Sequence, residues 1–136
     1  MENAAFKIDS YHFTKASLNF DIPDNATLNI EIFPSGVYHQ SEGRFVLDFV
    51  VKIVCEENQT EVVNVNCRAV FLFSEQMQLE EIPGFFYPNS LAIVFPYVRA
   101  FVSTITLQAN VHPVILPTLN LMGLTEELRS NTRNAE

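Results

Sequence analysis

The chain is 136 residues long, enough for one domain over residues 1–136 with one hydrophobic core, and too short for a second. Sixteen Asp and Glu against eight Lys and Arg give a formal net charge of −8, which argues against nucleic-acid backbones and anionic membranes and favours solubility or basic partners. An apolar fraction of 48%, with 12 Phe and no Trp, is generous for such a length and reads either as a β-rich core built of Phe and Val or as apolar surface left uncovered.

The first residues, Met1 to Lys7, carry neither a basic leader nor a long apolar stretch, and no run reads as membrane-spanning, so a cytoplasmic protein without membrane insertion is expected. Phe6 and Ile8 then keep even register while Tyr11 and Phe13 fall on odd positions, and Ala16, Leu18, Phe20 and Ile22 return to even. This pattern predicts a long first strand with a bulge or bend near Asp9 to His12, closed by Pro23-Asp24-Asn25. Leu28, Ile30 and Ile32 alternate with Thr27, Asn29 and Glu31 until Phe33-Pro34-Ser35-Gly36 breaks the run.

The clearest alternation follows. From Phe45 to Cys55 every odd position is apolar, and from Val62 to Phe73 the odd face again holds Val63, Val65, Cys67, Ala69, Phe71 and Phe73. Glu56-Glu57-Asn58-Gln59-Thr60 is the turn of a hairpin between them. The even faces also carry Val46, Val50, Val54, Val62, Val70 and Leu72, a second sign of apolar excess.

Gln76 to Phe86 reads as a connection centred on Pro83-Gly84. A helix is expected from about Phe95 to Ala109, because Pro96 lacks an N–H and is most comfortable in a first turn. Phe95, Val98, Val102, Ile105 and Ala109 form one stripe, and Tyr97, Phe101, Thr104 and Leu107 a second face that one small domain hardly covers. A helix apolar on two faces predicts an oligomer. Pro113 and Pro117 forbid helix in the exit segment, and a last short helix spans about Met122 to Ser130 with an edge of Leu121, Leu124 and Leu128. Gly123 and its length make that helix weak by propensity, so it reads as a lid, with Asn131 to Glu136 a frayed end. The fold class is α+β: a four-stranded antiparallel sheet, a long helix and a short C-terminal helix.

Cys55 and Cys67 both face inward on the hairpin, too far apart along the ladder to bond, and read as buried reduced thiols. The Asn25-Ala26-Thr27 and Asn58-Gln59-Thr60 glycosylation patterns need a secretory route and are discounted. His12, His39 and His112 share no ligand spacing, and no phosphate loop, nucleophile motif or tuned acid pair is present, so neither a metal, a cofactor nor enzymatic activity is expected.

Pro88-Asn89, the sequence Phe95-Pro96-Tyr97-Val98-Arg99 and the Pro-rich exit ending in Leu119-Asn120-Leu121 resemble the SecB family of export chaperones over nearly the whole chain. Two features depart from that family: three additional residues between Pro88-Asn89 and Phe95, and a nearly absent acidic tail. The resemblance implies an ATP-independent holdase that binds unfolded polypeptides or preproteins in apolar grooves of a homotetramer, a dimer of dimers. It implies further that subunits extend one another's sheets and that Phe95, Tyr97, Val98, Phe101, Val102 and Ile105 lie between them. Each groove, by the same likeness, lies between the sheet, the excursion after the first strand and the last helix. Leu28, Ile30, Ile32, Leu121, Leu124 and Leu128 would form its wall and Met122 an adaptable filler. SecA, the export motor, is the further partner implied, through acidic side chains on the outer sheet face. Asp21 matches one such position, whereas Ser17 and Asn64 fall at two others. Two other readings stay open: a dedicated chaperone of a toxin–antitoxin system, and an oligomeric scaffold that is not a chaperone.

Overall fold

Alternation builds the sheet. In a computed structural model that describes residues 6–118 and 120–135, strands β1 (Phe6–Leu18), β2 (Leu28–His39), β3 (Arg44–Cys55) and β4 (Glu61–Phe73) form the expected antiparallel set. Their spatial order β1-β4-β3-β2 is that of a Greek key, with β1 returning beside β4. A fifth strand, β5 (Thr132–Asn134), runs parallel to Gly36–Tyr38 of β2, so the stretch expected to fray is instead tied to the sheet edge. Three residues carry too little periodicity to announce a strand.

The register of β1 against β4 confirms the bulge and adds another. Phe6 and Ile8 lie opposite Phe73 and Phe71, Tyr11 and Phe13 opposite Ala69 and Cys67, and Ala16 and Leu18 opposite Val65 and Val63. Asp9 and Thr14 are the extra residues at the two register shifts, so one parity change is made and then undone. All six side chains thereby share one face with the odd positions of β4. The strand stops at Leu18, short of the expected Ile22. There the Asn19 N–H goes to the Val62 carbonyl at 2.8 Å, the Asp21 N–H to Asn19 Oδ1 at 3.0 Å and the Ile22 N–H to the Phe20 carbonyl at 2.9 Å. These bonds turn the chain out of the ladder.

The odd face of β3 and β4 is the core, fully buried at Phe45, Leu47, Phe49, Val51 and Ile53 and at Val63, Val65, Cys67, Ala69 and Phe71. Cys55 and Cys67 are both buried and unbonded. Cys67 stands opposite Phe49, the Cys55 N–H meets the Thr60 carbonyl and Val63 faces Ile53, which keeps the two thiols apart along the ladder.

Helix α1 (Phe86–Gln108) covers this face and begins nine residues before the sequence reading places it. The first-turn proline is Pro88, while Pro96 lies in the helix interior. Pro96 forfeits the bond to the Ala92 carbonyl, but both residues are exposed, and Leu91, Val94, Val98 and Val102 on the opposite side are fully buried against the sheet. Packing of that side outweighs one lost hydrogen bond. The Phe86 ring sits among those of Phe6, Phe45, Phe71 and Phe73, with centroids at 4.8, 4.7, 5.5 and 4.9 Å. Asn110, at φ 63°, takes the left-handed position that ends the helix. At 23 residues α1 is, by length and composition, long enough and apolar enough to cross a membrane, contrary to the sequence reading. A core helix meets the same criterion.

Candidate binding groove

Two hydroxyls on α1 fix the chain that leaves it. The Thr106 hydroxyl donates to the Val102 carbonyl at 2.8 Å and accepts the Val114 N–H at 2.9 Å, while the Ser103 hydroxyl donates to the Val114 carbonyl at 3.0 Å. Leu116 is then fully buried. Pinned at these points, the exit segment carries Pro117 and Asn120 alongside β2 and into α2 (Leu121–Ser130).

Helix α2 is capped by Asn120, whose side chain accepts the Met122 N–H at 3.0 Å. Its far end is fastened more heavily. Leu128 is fully buried, Arg129 lies over the Tyr87 ring at 4.8 Å, and the Thr132 hydroxyl donates to the Leu128 carbonyl at 2.6 Å. Burial raises the Tyr87 phenol above its usual value, an effect that Arg129 opposes. Lifting α2 as a whole lid would uncover Leu128 and strip β5 from the edge, so a simple lid does not describe it.

Between these elements lies a cavity of about 380 Å³ lined by Ile30, Ile32, Pro117, Asn120 and Leu124. Of the residues assigned to the groove wall from sequence, Ile30, Ile32 and Leu124 line it. Leu28 is half-buried on the same face of β2, which holds its even positions. Leu128 is a correction: it points into the core and offers nothing to a ligand. Met122 stands 79% exposed in the first turn of α2. The Leu121 side chain lies outside the described residues. The third wall is the exit segment, through Pro117 and Asn120, rather than the excursion after β1. In that excursion Phe20, Ile22 and Ala26 pack instead against the core. The extended stretch bracketed by Pro113 and Pro117 was the signal for this wall.

The helix residues assigned to a subunit interface divide. Val98 and Val102 are fully buried inside the protomer and so are corrected to core, because α1 lies with that stripe on its own sheet. Phe95, Phe101 and Ile105 are half-buried and Tyr97 is 40% exposed. Tyr97 and Phe101 stack on Tyr11 and Phe13 of β1, with centroids at 4.2 and 3.9 Å.

On the outer sheet face, Ser17 and Asn64 are directly opposite each other across β1 and β4. Asn64 is nearly buried and donates to Glu61 Oε1 at 2.7 Å. Asp21 is exposed in the loop after β1. Further along that face Asp48 is engaged by Arg68 through two bonds, at 2.8 and 3.2 Å. The Cys67 thiol is pushed up to about 11 by burial, with the Asp48 charge adding to the effect, which leaves it protonated at neutral pH. Among the described residues, no cluster of His, Cys, Asp or Glu has the makings of a metal site.

No family model matches the chain. The chain is similar to the uncharacterized protein MJ0357 of Methanocaldococcus jannaschii, at 47% identity over 62 residues, which span 43% of this chain and 40% of that protein. Among solved structures it is similar to the Mycobacterium tuberculosis Rv1957 SecB-like chaperone, solved in complex with a ChAD peptide from the Rv1956 HigA1 antitoxin. That likeness has a TM-score of 0.70 at 16% identity and covers 85% of this chain and 88% of that one. A protein of unknown function from Streptococcus agalactiae aligns over 85% of this chain and 94% of its own, with a TM-score of 0.37 at 15% identity. The fold is therefore SecB-like, and the α+β expectation holds, with one more strand than the sequence announced.

Proposed function

We propose that this protein is an ATP-independent holdase that captures extended apolar segments of unfolded polypeptides in the groove between β2, the exit segment and α2. One observation carries the reading: on a SecB-like fold, the groove keeps Ile30 38% exposed beside Ile32, Pro117 and Leu124. Apolar surface held open in this way is the signature of a binding site rather than of a finished core. Micromolar capture requires about 8 kcal/mol, and each large apolar side chain buried supplies roughly 1.5 to 3 kcal/mol before ordering costs. A few client side chains per groove suffice. The protein works without a cofactor or an enzymatic step, as a homotetramer in the cytoplasm, with several grooves adding avidity.

The neighbour in complex with an antitoxin peptide supports polypeptide segments as the ligand class. Two client ranges follow. Asp21 supports delivery of preproteins to SecA, whereas the uncharged, mutually opposed Ser17 and Asn64 weaken the acidic docking face and favour a dedicated client such as an antitoxin. The second range is the better supported by this chain's own residues.

Light scattering of an unfolded polypeptide diluted from denaturant, without ATP, tests the reading. Suppression near one tetramer per client is expected, and its loss in Leu124→Asp would place capture in the groove. Unchanged aggregation at large excess, for an export-prone protein and an antitoxin alike, overturns it in favour of a closed scaffold.

A further inference from the structure

The groove has a backbone side as well as an apolar one. Strand β2 pairs with β3 on one edge throughout its length, but on the other edge, among the described residues, it pairs only with β5, at Gly36–Tyr38. There the Gly36 N–H donates to the Asn131 carbonyl at 3.2 Å and the Tyr38 carbonyl accepts the Ala135 N–H at 2.9 Å. Even-numbered residues of β2 therefore turn their backbone groups toward the free edge. Just before β2, odd-numbered Thr27 turns the other way, its carbonyl accepting the Glu56 N–H at 2.8 Å in the β3–β4 turn. The β2–β3 register has no shift, so the alternation runs unbroken to Leu28, Ile30 and Ile32. Among the described residues no strand pairs with that part of the edge. The same three residues direct their side chains to the core face, where Ile30 and Ile32 line the groove.

We infer that the client adds to the sheet as a strand: an extended apolar segment pairs by its backbone with Leu28 to Ile32, in line with β5, and drops alternate side chains into the cavity of Ile30, Ile32, Pro117 and Leu124. The inference rests on the holdase reading and specifies how that site holds its ligand. The chain itself shows that this edge accepts a strand, since β5 already occupies its other half. Pro34, between the two halves, has no N–H to offer and marks where pairing with β5 gives way to the open stretch. Backbone pairing also explains how one groove takes many sequences, because every segment presents the same N–H and C=O groups while the cavity selects only for alternating apolar side chains. Basic residues flanking such a segment suit the net charge of −8.

The test uses a ten-residue peptide alternating valine and threonine with a lysine at each end, and two versions N-methylated on one alternate set of residues or the other. Methylation of the set facing β2 is expected to weaken binding at least tenfold, and methylation of the other set to leave it within about twofold. On the protein, hydrogen exchange at the Ile30 and Ile32 amides slows when the unmethylated peptide is bound. Ile30→Pro, which removes an edge donor where Pro34 shows proline is accepted, loses affinity by a similar factor; the methylated peptides give the answer on the natural chain should that variant not fold. Equal affinity of all three peptides, or unprotected Ile30 and Ile32 amides, overturns strand addition. So does absence of peptide binding. Scattering suppression, read on the same preparation, decides the holdase reading separately in each case.

Discussion

Phe13 of β1 and Phe101 of α1 lie face to face, ring centroids 3.9 Å apart and planes 14° from parallel. One turn earlier Tyr97 stacks on Tyr11 in the same way, at 4.2 Å and 20°. The aromatic face of α1 that sequence alone assigns to a partner subunit is thus shared with its own β1. Phe101→Ala is expected to cost about 2 kcal/mol, less than a fully buried Phe because the ring is only partly buried. A double-mutant cycle with Phe13→Ala should return a coupling of roughly 1 kcal/mol by urea denaturation. Additive losses would mean that the stack contributes nothing beyond area.

The stack exists only because Asp9 shifts the register once and Thr14 shifts it back. Deleting Asp9 moves Phe6 and Ile8 to the outer face unless the strand slips, since a one-residue slip exchanges faces. Phe6 would lose its contacts with Phe71 and Phe86, at 5.9 and 4.8 Å. The deletion should lower the thermal midpoint by at least 10 °C, on the order of 2 to 3 kcal/mol for a chain of this size. Asp9→Ala, which keeps the extra residue, should stay within about 0.5 kcal/mol of the natural chain. Equal effects of the two changes would show that the side chain, and not the bulge, is what counts.

How much of this was legible depends on how far each signal reaches along the chain. The β3–β4 hairpin was plain because its odd residues are all apolar and paired over a short turn, and the bulge near Asp9 was visible as a change of parity between Ile8 and Tyr11. The start of α1 was hidden because Pro96 obeys a local rule that tertiary packing overrides: Leu91 and Val94, upstream of it, are fully buried on the sheet. Ile30 and Ile32 were recognisable as an apolar face, but Pro117 and Asn120 enter the groove through Thr106 and Ser103 hydroxyl bonds to Val114, which no periodicity encodes. Leu128 looked identical to Leu124 on a helical edge, and only the fastening of α2 at Arg129 and Thr132 sends it into the core.

Gly36 is where that fastening meets the sheet. A Cβ at Gly36 would run into the Phe45 ring and meet Thr132 Oγ1 at 3.0 Å. Both neighbours are constrained, Phe45 by full burial and Thr132 by its bond to the Leu128 carbonyl. Gly36→Ala should therefore cost about 1 to 3 kcal/mol, as overpacking does. Amide exchange should quicken first in β5 and the end of α2. Combining it with Phe45→Leu, which shortens the ring that obstructs the methyl, should recover part of the loss. A uniform loss with no local signature would place the cause elsewhere.

Glu57 ties the β3–β4 turn to the loop before β2. Its carboxylate accepts the Thr27 N–H at 3.0 and 3.2 Å and the Cys55 thiol at 3.4 Å. The Thr27 N–H is the largest influence holding the Glu57 carboxyl below the usual glutamate range. A lowered carboxylate stabilises the fold above its unfolded value, and that contribution fades as pH falls through the folded one. The tether should hold from neutral pH down through the ordinary glutamate range and release only below it. In an NMR pH titration the Thr27 amide shift should follow Glu57, with a midpoint lower than that of an unpaired glutamate. Glu57→Gln should make the shift pH-independent; a titration persisting in that variant would point to another group.

The outward side of α1 carries Ala92, Pro96, Ala100 and Thr104 at successive intervals of four, all exposed, with Leu107 59% exposed beyond them. Arg99 is the one charge in the 23 residues of the helix. A ridge of small residues lets another backbone approach closely, and an exposed apolar helix face of this length has a cost in water that a partner helix removes. The natural chain should therefore run as a tetramer in light scattering coupled to size exclusion. Ala100 is exposed, so Ala100→Glu should change the protomer's stability by less than about 0.5 kcal/mol while the assembly falls to dimers or monomers. The order of loss is informative. If scattering suppression disappears together with the tetramer, capture depends on several grooves acting at once; if it survives in proportion to protomer concentration, each groove acts alone and avidity adds little. A natural chain that is monomeric at micromolar concentration removes the oligomer from the account and leaves the ridge as ordinary solvated surface.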